Sequence, residues 1–76
     1  MEIKYSKAAV KFLKKQNKSS QNRIMNAIEK IPAGDIVKLH GISGYRLRVG
    51  NYRILFDFNG NIIAIIDIDN RGQIYK

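Results

Sequence analysis

Residues 44–58, Gly-Tyr-Arg-Leu-Arg-Val-Gly-Asn-Tyr-Arg-Ile-Leu-Phe-Asp-Phe, alternate apolar and polar side chains on either side of a Gly50-Asn51 pair. That pattern leaves few folds open. A period of two is the signature of a half-buried strand. Gly and Asn both tolerate positive φ, so a two-residue loop at Gly50-Asn51 suits a primed turn. Such a loop pairs Val49 with Tyr52 and Arg48 with Arg53, and directly opposed side chains share a face. Leu47, Val49, Tyr52, Ile54 and Phe56 therefore face one way, and Arg46, Arg48 and Arg53 the other.

Three guanidinium groups on one sheet face admit two readings. They splay into water, as arginines on the wet face of a hairpin commonly do, or they gather an anion. No acidic residue of the hairpin stands where it pairs with Arg46, Arg48 or Arg53, which favours the anion. Arginine is also preferred over lysine for two-pronged contact with phosphate. Like charges directly opposite destabilise a sheet by a few tenths to about 1 kcal/mol. Removing Arg48 and Arg53 together is then expected to leave the fold at least as stable.

The chain has 76 residues, read as one domain over 1–76. A core of this size supplies no more than ~3–5 kcal/mol. The absence of cysteine excludes disulfides and thiolate zinc sites, and the lone His40 offers no histidine pair, so neither metal nor cofactor is expected. No apolar run reaches membrane-spanning length and the N-terminus lacks a signal pattern, so a soluble cytoplasmic protein is the expectation. Fourteen Lys and Arg against six Asp and Glu give a net charge of +8, which calls for a polyanionic partner: nucleic acid or an acidic protein. A membrane surface fits less well without tryptophan.

Met1 to Tyr5 reads as a short strand and Ser6 as a helix N-cap. From Lys7 to Gln16, Ala8, Ala9, Phe12 and Leu13 form a helical stripe. Lys11, Lys14 and Lys15 lie largely outside it, either as a solvated face or as non-specific phosphate contacts that carry no sequence information. Ser19 or Ser20 is expected to cap a second helix, Gln21 to Ile31, with Ile24, Met25, Ala27, Ile28 and Ile31 apolar; Pro32 and Gly34 stop it. Asp35 to Gly41 reads as a connecting loop with Leu39 tucked inward, Lys38 near the arginines and His40 structural or exposed. Asn59-Gly60 signals a type I′ hairpin. Ile62 to Ile68 reads as an interior strand, and the residues from Asp69 on as a closing turn and short extended end. The predicted class is α+β: a short N-terminal strand, a helical hairpin, then an antiparallel meander with both helices on one sheet face.

Lys38-Leu39-His40-Gly41, the run from Tyr45 to Phe56, and Asn70-Arg71-Gly72-Gln73-Ile74-Tyr75, in this order and spacing, resemble the RelE branch of the RelE/ParE toxin superfamily. The likeness covers the whole chain. It implies a ribonuclease of a type II toxin–antitoxin module that cuts messenger RNA in the ribosomal A site and is neutralised by an antitoxin wrapped around it. It also implies roles at matching positions. Arg46 and Arg48 stand where the family carries basic residues, Arg53 at the position near the scissile phosphate, and Arg71 and Tyr75 at the C-terminal Arg and Tyr. The chain departs from well-known members in having Arg rather than Lys at Arg46 and Arg48. It also lacks the Glu or His with which some relatives form an acid–base pair.

RNA supplies its own nucleophile, the 2′-OH, so such an enzyme needs positioning and charge rather than Ser or Cys. The catalytic set is then Arg46, Arg48, Arg53, Arg71 and Tyr75, with Lys38, Lys11, Lys14 and Lys15 as RNA contacts. Arginine stays protonated, so Tyr75 stands either as the base or as an aromatic covering the core edge. Two other activities remain open: a ParE-like poison of DNA gyrase, and a weak relative that chiefly binds an antitoxin. An antitoxin covering a +8 surface is expected to be acidic.

Overall fold

The computed structural model describes residues 2–41 and 44–70. Its elements run β1 (Glu2–Tyr5), α1 (Lys7–Lys14), α2 (Lys18–Glu29), β2 (Asp35–Lys38), β3 (Tyr45–Val49), β4 (Tyr52–Phe58) and β5 (Ile62–Asn70). The strands form one sheet in the order β1-β5-β4-β3-β2; β1 lies parallel to β5 and every other neighbour is antiparallel. The helices lie between β1 and β2 in the chain, and α1 packs on β5 and β1 while α2 packs on β3. This is the predicted α+β arrangement.

Ser6 caps α1 as expected. Its Oγ accepts from the Ala9 backbone N–H at 3.1 Å and donates to the Ile66 carbonyl at 2.6 Å, so one hydroxyl both starts the helix and ties it to β5. α2 begins earlier than the serines predict. Asn17 is the cap, its side-chain oxygen accepting from the Ser20 N–H at 2.8 Å. Asparagine caps as well as serine does, and using it lets both serines join the first turn. Gln21 then reaches back, its Nε2 donating to the carbonyls of Leu13 at 2.7 Å and Gln16 at 3.1 Å. These carbonyls lie at the end of α1, where the Leu13 oxygen also accepts from the Gln16 backbone N–H at 3.0 Å.

The region 35–38 is a correction: it is an edge strand rather than a loop. Asp35, Ile36, Val37 and Lys38 pair with Arg48, Leu47, Arg46 and Tyr45. Four residues are too few to show a period, and the edge of β3 exists as a template only after the hairpin has formed. Ile36, rather than Leu39, packs against the core.

Both hairpins form where the turn residues stand, with differences in detail. At the first turn only Gly50 has positive φ, +58°, the pattern of a II′ rather than a I′ turn. The predicted pairs Val49↔Tyr52 and Arg48↔Arg53 are present. At the second, only Gly60 has positive φ. The expected I′ turn gives way to a longer loop in which the Asn59 side chain accepts from the Ile62 N–H at 3.0 Å.

The core is entirely apolar among the described residues. Ala9 and Leu13 from α1, Ile24 and Ile28 from α2, and Ile31 meet Leu47, Ile54, Phe56, Ile63, Ile65 and Ile68 of the sheet. Met25, expected in the stripe, is exposed beside Val10 on the far side of the helices. Tyr5 lies partly under this layer; burial, and secondarily the charge of Glu29, pushes its phenol above the usual tyrosine range. Ile54 is fully buried at the centre of the sheet. Ile54→Ala is expected to destabilise by about 2–5 kcal/mol, against well under ~1 kcal/mol for Met25→Ala. Urea unfolding of the two variants checks this.

Candidate functional site

Helices cover one face of the sheet, and the other face carries Arg46, Arg48 and Arg53. Register places these three among neighbours that the hairpin alone does not reveal. Reading across β2, β3, β4 and β5, one row is Asp35, Arg48, Arg53, Asp69. The next is Val37, Arg46, Leu55, Asp67. Two opposed guanidiniums are thus flanked by a carboxylate on each side.

The outer carboxylate of β5 is engaged. Arg53 Nε donates to Asp69 Oδ1 at 3.2 Å and its Nη2 to Oδ2 at 2.7 Å, a two-pronged pair with both side chains about one-third exposed. This overturns the expectation that no acid pairs with the arginines. The sequence suggests a closing turn at Asp69, but β5 runs on to Asn70, and an irregularity between Leu55 and Phe56 realigns it. Phe56 pairs with Ile65, whereas Leu55 pairs with Asp67, so Ile66 is an extra residue on β5. The core residues of β5 mark the slip: Ile63 and Ile65 are two apart, Ile65 and Ile68 three. Without the bulge, Arg53 would stand opposite Ile68.

Arg48 is different. It is exposed, and although Asp35 is its cross-strand neighbour, no ion pair joins them. Arg46 is half-buried, and its Nε is buried without a hydrogen-bond partner. A buried N–H left unsatisfied is unfavourable by about 1–3 kcal/mol, and the cross-strand neighbours of Arg46 in the register, Val37 and Leu55, are apolar.

The remaining candidates do not join this face. Lys11 and Lys14 belong to α1 and Lys15 caps it, all exposed and all in the helical layer on the other side of the sheet. Lys38, at the exposed end of β2, alternates with Val37 and so falls on the helix-covered side by register. Arg71 and Tyr75 lie outside the described residues.

Charge is divided in a way the net value hides. Between Lys7 and Lys30 stand seven Lys and Arg against the single acid Glu29. In the strands, Lys4, Lys38, Arg46, Arg48 and Arg53 are balanced one for one by Glu2, Asp35, Asp57, Asp67 and Asp69. Among the described residues the basic excess belongs to the helical layer, while the arginine face combines cations with carboxylates.

Removing Arg53 leaves Asp69 half-buried and without its guanidinium. Arg48→Ala is therefore expected to leave stability unchanged or slightly raised, whereas Arg53→Ala and Asp69→Asn each lose roughly 1 kcal/mol after allowance for solvent screening. The double Arg48/Arg53 variant then falls below wild type, contrary to the like-charge expectation. Chemical denaturation of the four variants measures it.

No protein-family model matches the chain, and no curated protein does. Solved structures do. The chain is 34% identical to a chain of the RelB-RelE antitoxin-toxin complex from Methanococcus jannaschii, covering 95% of this chain and 94% of that one, with a TM-score of 0.76. An archaeal RelE-RelB complex from Pyrococcus horikoshii OT3 is 28% identical over 95% of this chain and 96% of that one, with a TM-score of 0.74. The YoeB dimer from Staphylococcus aureus, 21% identical over 88% and 92% of the two chains with a TM-score of 0.71, shares the fold.

Proposed function

This chain belongs to the RelE toxin family, and we propose that it is the toxin of a type II toxin–antitoxin module, an endoribonuclease that cuts messenger RNA in the A site of the ribosome. What supports the chemistry is one juxtaposition: Arg48 directly opposite Arg53, one row from Arg46, on the sheet face that neither helix covers.

In the reaction, the 2′-oxygen of the RNA bonds to phosphorus as the bond to the 5′-oxygen breaks. A proton leaves the 2′-OH and another reaches the departing oxygen. Negative charge gathers on the non-bridging oxygens, where fixed guanidiniums are most effective because they need no reorganisation. Arg48 is the group best placed to meet them, being exposed and without an ion pair. Arg53 keeps its positive charge but shares it with Asp69; the carboxylate fixes its plane and makes it a positioned neighbour to Arg48. Arg46 adds a third cation. Proton transfer is assigned to Tyr75, with Arg71 near the leaving oxygen, on the family resemblance alone. No residue of the described face supplies a histidine, and a slow enzyme that depends on the ribosome to align its substrate is consistent with that.

An antitoxin partner follows from relatives whose structures are toxin–antitoxin complexes. Its acidic residues are expected to meet the helical layer, where the unbalanced cations stand. The balanced arginine face offers it Val37 and Ile66, 42% and 47% exposed, as apolar contacts.

Arg48→Ala is expected to lower ribosome-dependent cleavage by about 10²–10³-fold, the usual effect of losing one transition-state donor, with the fold intact. Primer extension on a reporter transcript locates the cuts. Wild-type cleavage by the variant would remove Arg48 from the chemistry. Stabilised gyrase–DNA breaks without transcript cuts would assign the chain to the gyrase-poisoning branch instead.

A further inference from the structure

Away from the arginine face, α1 and α2 leave an open groove of about 220 Å³, lined by Tyr5, Val10, Leu13, Lys14, Gln21 and Met25. Resting on the antitoxin partner proposed above, we propose that this groove seats an acidic amphipathic helix of that partner, with Val10 and Met25 as apolar anchors and Lys14 and Lys18 meeting its carboxylates.

The same spacing occurs on both helices. Lys7, Val10 and Lys14 are separated by three and then four residues, and so are Lys18, Gln21 and Met25. Each trio therefore runs along one side of its helix. Val10 and Met25 are each 38% exposed, whereas Leu13 beside them belongs to the buried core. Lys7, Lys14 and Lys18 are exposed. Among the described residues none of these lysines makes an ion pair or a side-chain hydrogen bond, and no carboxylate lines the groove. The Gln21 amide, bonded to the Leu13 and Gln16 carbonyls, ties the start of α2 to the end of α1. The groove is thus braced before a partner arrives, which lowers the ordering cost of binding.

The lining selects among polyanions. A nucleic acid would answer the lysines but set phosphates and sugars against Val10 and Met25. Stacking a base takes an open ring face, and the one ring in the lining, Tyr5, is half-buried. An extended peptide would find no ladder to join, because helix backbones are already bonded within themselves. A helix presents anchors at the three- and four-residue spacing found here and lies in the furrow between two others as a third member of the layer. Methionine, unbranched and polarizable, adapts to the apolar side chain it meets.

Charge also gives the docked helix a direction. Glu29 follows Met25 by four residues and, after burial, is the second cause of the raised Tyr5 phenol, so a carboxylate stands near that end of the groove. Lys14 and Lys18 stand at the other end, beside the connector between the helices. The partner's acids belong over the lysine end. The eight residues of α1 span about 12 Å, room for about two turns of the partner, so the groove holds one segment of a longer wrapping chain.

The test uses a fluorescent peptide of about four helical turns, with leucines at the three- and four-residue spacing and glutamates elsewhere, and a scrambled isomer of identical composition. Binding to the full chain is read by anisotropy. The near-isosteric double variant Val10→Thr/Met25→Gln is expected to weaken the amphipathic peptide about tenfold. Lys14→Gln/Lys18→Gln is expected to weaken it about fivefold at low salt, with the difference fading at high salt. Lys4→Gln, a charge loss on the opposite face of the sheet, changes it less than about twofold. Thermal melts confirm that each variant folds. Equal binding of the scrambled isomer would overturn the proposal, as would wild-type affinity in the Val10/Met25 variant or a wild type that binds neither peptide. Oligouridylate or anionic vesicles whose binding depends on Val10 and Met25, where the peptide's does not, would overturn it in favour of RNA or a lipid surface. Growth arrest by the chain, rescued by a neighbouring reading frame whose product binds the Val10/Met25 variant as tightly as wild type, would remove the groove and spare the toxin–antitoxin reading. Met25-dependent peptide binding by a chain that never arrests growth would do the reverse.

Discussion

Val49 pairing with Tyr52 across the Gly50-Asn51 turn decides the side of the sheet on which every neighbouring side chain falls. Because strand side chains alternate strictly, a slip of one residue there would exchange the two faces, sending Leu47, Ile54 and Phe56 to water and the arginines into the core. The turn residues and the apolar pattern enforce the same register. Consistency of this kind between local geometry and burial is what lets a chain this short specify one fold. Helix α2 then has an apolar surface to cover, and Ile24 and Ile28 are fully buried against the result.

Much of this architecture is legible in the sequence because its signals are local. Ser6 before a helical stripe, Gly50-Asn51 between alternating runs, and Ile31-Pro32 at the end of α2 each act within a few residues. What the sequence does not display are the features that depend on a partner strand. β2 has no period of its own and is a strand only because β3 offers it an edge. The continuation of β5 to Asn70 draws on its pairing with β4, where Tyr52 meets Asn70 and Arg53 meets Asp69. The candidate site divides in the same way. The opposition of Arg48 and Arg53 follows from one turn and can be read directly. The carboxylates that flank them come from strands on either side, and one of them arrives only through a bulge. Lys11, Lys14, Lys15 and Lys38 stand apart from the arginines for a simpler reason: a sheet has two sides, and charge counted along a chain does not say which.

Two kinds of positive surface emerge from one +8 chain. The arginine face is a mixed field in which Arg48 and Arg53 each have a carboxylate opposite on a neighbouring strand. Mixed fields hold charges in defined orientations, which suits chemistry at one bond. The helical layer is an unbalanced field with Glu29 its only acid between Lys7 and Lys30. Unbalanced fields act over a Debye length and serve encounter and retention rather than precision. The two fields lie on opposite sides of the same sheet.

The extra residue at Ile66 has a bearing on how relatives are compared. Up to Ile65 the inward positions of β5 are odd-numbered, and from Ile68 they are even. A family member lacking that residue keeps one phase throughout, so a gapless alignment through this strand sets its core positions against the carboxylates of this chain. Column-by-column statistics would then record acid and isoleucine as interchangeable at sites that never occupy the same place in space. A single gap between Ile65 and Asp67 restores the correspondence, and with it the meaning of an aspartate opposite Arg53.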